Sequence, residues 1–88
     1  MYTLRYAPDA HKDLKKLPRE TAVRVHTTLK SILDNPYGYV KKLKTNHHVP
    51  LYSLRVGREY RCILTILDQE LVVFVIEAGH WSTVYRKY

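Results

Sequence analysis

One cysteine, three glycines and a single tryptophan, methionine and phenylalanine leave this 88-residue chain without several devices on which small proteins rely. Cys62 has no partner within the chain, so no disulfide framework exists and a reducing compartment is expected. With so few glycines, none of them close together, a glycine-rich phosphate loop is excluded. No apolar run approaches the roughly 18 residues of a membrane span. The N-terminal MYTLRYAPDA also lacks the basic-then-apolar form of a secretory signal, so a cytoplasmic protein without a membrane partner is expected. Of the five histidines, His11 and His26 fall among polar neighbours on predicted helices, and His47 and His48 are adjacent. None of these spacings is that of a zinc site, and neither a metal nor another cofactor is expected. Paired carboxylates of the glycosidase kind are missing too, and a thiol inside a predicted strand is a small hydrophobe before it is a nucleophile.

Positive charge is what the chain has in excess. Fifteen Lys and Arg face eight Asp and Glu, a formal net charge of +7 that attracts polyanions, nucleic acid first among them. The excess is uneven: between positions 38 and 61 lie Lys41, Lys42, Lys44, Arg55, Arg58 and Arg61 against Glu59 alone. One surface is expected to be basic. The length suits a single domain spanning 1–88, with a core too small to be strongly stable without a partner.

Taken in order, residues 2–6 alternate as a short strand near a sheet edge. Pro8 and Asp9 then open a helix over residues 8–17, with Ala10, Leu14 and Leu17 on one face, and Pro18 stops it. A second helix is predicted over residues 19–33, with Ala22, Val25, Leu29, Ile32 and Leu33 as its core stripe; Asn35, Pro36 and Gly38 end it. Residues 39–50 read as a basic surface loop that approaches something negative. Residues 51–79 hold three strand-like runs, the last almost wholly apolar and expected inside the sheet. A tail at residues 79–88 is predicted as irregular or a single turn near the strand ends, where it brings Tyr85 beside Arg55 and Arg61.

The hairpin at residues 51–67 decides how those arginines face. A two-residue turn would pair Leu54 with Arg61 and spoil both faces. A three-residue loop, residues 57–59, pairs Val56 with Tyr60, Leu54 with Cys62 and Arg55 with Arg61. One face then carries Leu54, Val56, Cys62, Leu64 and Ile66, and the other Ser53, Arg55, Arg61 and Thr65. One slipped residue would reverse every side chain, so burial selects the longer loop. Opposed guanidiniums repel unless they splay into water or share an anion such as phosphate.

Metal-independent cleavage of RNA suits these residues. The 2′-hydroxyl attacks its neighbouring phosphorus, so the site must stabilise phosphoryl charge, accept one proton and give another. Arg55 and Arg61 meet the first need; Tyr85 and His80 are candidates for the proton steps, histidine because it titrates near neutrality. Lys41, Lys42, Lys44, Arg58 and Arg86 are candidate RNA contacts, and Trp81 a residue on which a base could stack.

HKDLKKLP in the first helix, NPYG after the second, the hairpin LYSLRVGREYRCILTILD, VVFVIEAGH on the last strand and VY in the tail together resemble the RelE/ParE superfamily of toxins, RelE-type mRNA interferases in particular. The resemblance implies an α+β fold of order β-α-α-β-β-β with a short tail, a two-helix hairpin packed on a four-stranded, mostly antiparallel sheet. It implies cleavage of mRNA in the ribosomal decoding site, with the ribosome and mRNA as partners. It also implies a RelB-like cognate antitoxin that wraps and blocks the toxin, and operator DNA reached only through that complex. Arg55, Arg61 and Tyr85 match the family's catalytic positions. Ser53 stands where RelE toxins have a further lysine, and Gly79-His80-Trp81 replaces the usual glycine, basic residue and arginine. Two other readings stay open: a ParE-like, non-nucleolytic poison of DNA gyrase, and a catalytically weakened RNA-binding relic.

Overall fold

The alternating apolar hairpin becomes the middle of the molecule. A computed structural model describes residues 1–45 and 48–88, so His47 of the predicted basic loop lies outside the described residues. The chain runs β1 (Thr3–Tyr6), α1 (Pro8–Lys16), α2 (Arg19–Ser31), β2 (Val40–Lys42), β3 (Tyr52–Val56), β4 (Tyr60–Leu67), β5 (Val72–His80) and α3 (Trp81–Val84). Single 3₁₀ turns occupy Pro36–Gly38, Asp68–Glu70 and Tyr85–Lys87. The strands form one sheet in the order β1-β5-β4-β3-β2; β1 runs parallel to β5 and the other pairs are antiparallel.

Pro8 opens α1 because its missing N–H costs nothing in a first turn, and Pro18 separates α1 from α2. Both helices cover one face of the sheet. Ala10, Val25, Leu29, Ile32 and Leu33 pack there with Leu54, Val56, Cys62, Leu64, Ile66, Val73, Val75 and Ala78. Cys62 is fully buried, and burial pushes its thiol up to about 12, so it stays protonated at neutral pH. The hairpin has the three-residue loop that burial required, with Gly57 at φ 63°, a conformation glycine adopts without steric cost. None of the described helices is long and apolar enough to cross a membrane.

Two expectations are corrected. The sheet has five strands rather than four, because Val40–Lys42, read as loop, pairs with β3. Three residues are too few to show a period, and lysines suit an edge strand by discouraging further pairing. The hairpin face away from the helices is not simply polar either: Leu51, Ile63 and Val84 form a second small core, with Leu43, Ile76 and Tyr88 packed against it. β4 is consequently buried on both sides. Ser53 and Thr65 on that face are only 5% exposed, and Thr65 Oγ1 donates to the Pro50 carbonyl at 2.9 Å.

At the far end of the sheet the Asp68 carboxylate accepts from Tyr37 Oη at 2.6 Å and from Tyr2 Oη at 2.7 Å, joining three chain segments. The hydrogen bonds from Tyr37 and then Tyr2 hold the Asp68 carboxyl below the usual carboxylate range. A carboxylate with a depressed folded-state pKa stabilises the fold above its unfolded value, about 3.9, and loses that contribution as pH falls through the folded value. Replacing Asp68 with Asn should therefore lower the melting temperature at pH 7 and make it fall less steeply below about pH 4 than in the wild type. Parallel acid melting curves for the two proteins would refute this linkage.

Candidate active site

The face of the sheet opposite the helices carries a cleft of about 440 Å³, lined by Gly38, Tyr39, Val40, Lys41, Ser53, Arg55, Arg61 and Tyr85. Strand register builds it. Lys41 lies across from Ser53, and Ser53 across from Ile63; one step along, Arg55 faces Arg61, which faces Gly79. The floor is thus a row of cations beside a small hydroxyl. Among the described residues that line the cleft there is no carboxylate to neutralise them.

Tyr85 arrives from the tail. His80 caps α3, Val84 is buried in the second core, and the next residue is delivered over the sheet. A Cβ on Gly79 would lie 3.2 Å from Val84 Cγ2, so the missing side chain gives the tail room to press this close to β5. Tyr85 Oη then meets Ser53 Oγ at 3.1 Å, leaving the phenol 38% exposed at the cleft. Arg61, half-buried, donates through Nη1 to the carbonyls of Tyr60 at 2.8 Å and Arg58 at 3.3 Å. One edge of its guanidinium is fixed by the protein's own backbone while other N–H groups remain for a ligand. Arg55 is exposed beside it.

The other expected site residues are placed around this cleft or away from it. Lys41 lines it; Lys42 pairs with Tyr52 on the helix side and Lys44 is exposed beyond the strand. Arg58 lies at the hairpin turn, lining a separate cavity with Arg24 and Tyr60. Trp81 opens α3, its amide donating to Glu59 O at 2.8 Å and its indole 47% exposed. Arg86 is exposed on the last 3₁₀ turn. His80 does not join the cleft: it faces Tyr60 on the helix side, ring centroids 6.0 Å apart. Its Nδ1 accepts from the Ser82 amide at 3.2 Å and lies 2.7 Å from Ser82 Oγ. Among the described residues no three His, Cys, Asp or Glu side chains gather as metal ligands.

The sequence places Ser53 on the face of Arg55 and Arg61 and at the position of a RelE lysine, but does not reveal it as the partner of Tyr85, nor Tyr39 as a wall of the cleft. Tyr39, 63% exposed, and Lys41 are two residues apart, a spacing that places both on one face of an extended segment. That signal was present, but hidden by the shortness of β2.

The sequence pattern of a family described as the ParE toxin of the type II toxin–antitoxin system parDE matches residues 4–85. No curated protein matches the chain. Solved structures similar to it include the RelBE2 toxin–antitoxin complex of Mycobacterium tuberculosis, with 28% identity and a TM-score of 0.81 over 90% of each chain. The intact E. coli RelBE toxin–antitoxin complex is similar at 24% identity and a TM-score of 0.72, over 91% of this chain and 96% of that one. The YoeB dimer from Staphylococcus aureus is similar at 24% identity and a TM-score of 0.70, over 90% of this chain and 95% of that one.

Like charges opposed across strands destabilise a sheet by about 0.2–1 kcal/mol. Arg55→Leu should therefore leave the melting temperature unchanged or raise it by up to ~5 °C, and inorganic phosphate should raise the melting temperature of the wild type but not of this variant. A marked fall in melting temperature would show that Arg55 is held for stability instead.

Proposed function

We propose a catalytic role for this chain, which belongs to the ParE toxin family of type II toxin–antitoxin systems and shares its fold with RelE and YoeB toxins: it is a ribosome-dependent endoribonuclease that cuts mRNA in the decoding site. The observation that carries this reading is the meeting of Arg55, Arg61 and Tyr85 over one cationic cleft. A phosphodiester seated between the two arginines has its non-bridging oxygens against guanidinium donors, where negative charge accumulates as the 2′-oxygen closes on phosphorus. The new bond is 2′-oxygen to phosphorus; the bond that breaks is phosphorus to the 5′-oxygen of the next nucleotide. The products are a 2′,3′-cyclic phosphate and a 5′-hydroxyl. Tyr85, its hydroxyl held by Ser53, accepts or orients the 2′-hydroxyl proton, and water at the open mouth of the cleft gives a proton to the leaving 5′-oxygen. His80 serves as the acid only if its ring releases Ser82 and turns across the strand end.

Lys41 extends the phosphate track along β2, and Lys42, Lys44, Arg58 and Arg86 add the diffuse positive surface that holds mRNA and ribosomal RNA. Trp81 offers an exposed ring for a base. The partner in the cell is a RelB-like antitoxin whose segment wraps the domain and shields the cleft, with operator DNA bound through that complex. The compartment is the cytoplasm, where translating ribosomes are found.

A second reading has its own support. The family that matches is ParE, and Trp81 occupies the place of an arginine usual in RelE toxins, which fits a non-nucleolytic toxin acting on DNA gyrase. Primer extension on mRNA from translating ribosomes separates the two. Wild-type protein should introduce cleavages at decoding-site codons; Arg61→Ala and Tyr85→Phe should slow them by about 10²–10³-fold and keep the fold. Growth arrest with intact mRNA and broken DNA would select gyrase, and undiminished cleavage by Arg61→Ala would remove the role given to that residue.

A further inference from the structure

Tyr85 stands on a single 3₁₀ turn, a structure with almost no stability of its own. Something beyond the turn must hold it. Val84 anchors its start in the second core. Its end is tied to Glu77. This side chain sits on β5 in the row Lys41, Ser53, Ile63, Glu77 that crosses the cleft face of the sheet.

A β-bulge puts Glu77 there. Ile63 faces Glu77 while the next residue, Leu64, faces Val75, so Ile76 is extra and the parity of β5 changes at that point. In unbroken alternation Glu77 would follow Val73 and Val75 into the main core. The bulge instead sends it to the opposite face, and the Asp13 carboxylate on α1 accepts from the Ala78 amide at 3.1 Å beside it. The Glu77 side chain is 12% exposed. Both of its oxygens are engaged: Lys87 Nζ reaches Oε2 at 2.9 Å and Tyr88 Oη donates to Oε1 at 3.1 Å. Lys87 is the last residue of the turn that delivers Tyr85 to Ser53, and Tyr88 follows it directly.

We propose that Glu77 is a positioning residue for the reaction: its carboxylate clamps Lys87 and Tyr88 and so fixes Tyr85 over the phosphate site. The inference rests on the nuclease reading above and assigns Glu77 no contact with RNA. An unclamped turn frays at low cost, and a phenol displaced by about 1 Å can lose a hundredfold in rate.

The test compares single-turnover mRNA cleavage on translating ribosomes by Glu77→Gln and by the pair Lys87→Met with Tyr88→Phe, each in wild-type and Tyr85→Phe backgrounds. The paired variant opens the clamp from the tail and leaves β5 untouched, so it answers the question even if Glu77→Gln folds poorly. Expected is a fall in kcat of about 10–100-fold with KM within about twofold, and no further loss when Tyr85 is already Phe. Equal losses in both backgrounds, or a loss carried by KM, would overturn the proposal. The second readout needs no activity: in ¹³C-tyrosine-labelled protein, opening the clamp should move the Tyr85 ring resonances toward those of a free exposed tyrosine. Unmoved resonances overturn the positioning role. Should Tyr85→Phe keep full activity, the catalytic reading of Tyr85 falls, and the ring resonances alone still decide whether Glu77 places it.

Discussion

Leu54 opposite Cys62 sets the parity of both faces of the sheet. With that pair buried under the helices, Arg55 must stand against Arg61 on the other side, and Ser53 must lie one step away, level with Lys41. Core and cleft are therefore two consequences of one register. A slip of one residue would bury two guanidiniums and expose Leu54, Val56 and Leu64, at a cost larger than the whole stability of a domain this size.

The same constraint explains why the hairpin was legible. Its alternation is clean enough that only one loop length buries all the apolar residues, and the Arg55–Arg61 pair follows by arithmetic. The helices were legible for a similar reason, since Pro8, Pro18 and Pro36 punctuate two apolar stripes. Less visible were features that depend on what arrives from elsewhere. Val40–Lys42 is a strand only because β3 offers a free edge, and its lysines carry little strand preference of their own. Ile63 looked like one more member of an apolar run. Its role as the floor of a second core depends on the tail folding back over it. His80 was grouped with Tyr85 because histidine titrates near neutrality, but it ends β5 and the strand's parity sends its ring to the helix side.

A cleft made from opposed arginines is a stored cost, offset elsewhere in the fold and recovered when an anion enters. The tail shares that logic: a short turn with little intrinsic preference is held by one buried valine and one nearly buried carboxylate. The sheet supplies rigidity for the charged groups, and the Tyr85 phenol is attached beside them by contacts weak enough to be tuned singly. Membership in a toxin family gives this division a context, because a protein that must be silenced by a partner gains from concentrating its chemistry in one open, cationic place.

The pairing of β1 with β5 also dictates an order of events. Thr3 must wait for Val72, and Tyr6 for Val75, so the first strand made remains without its partner until nearly all of the sheet has been synthesised. Such distant contacts pay their loop-closure entropy before they return any stability, which places the closing of this edge late in folding. Tyr85 comes later still in the chain. As the polypeptide is made, the cationic floor can form around the hairpin before the phenol reaches it, and the complete cleft is among the last features the chain acquires.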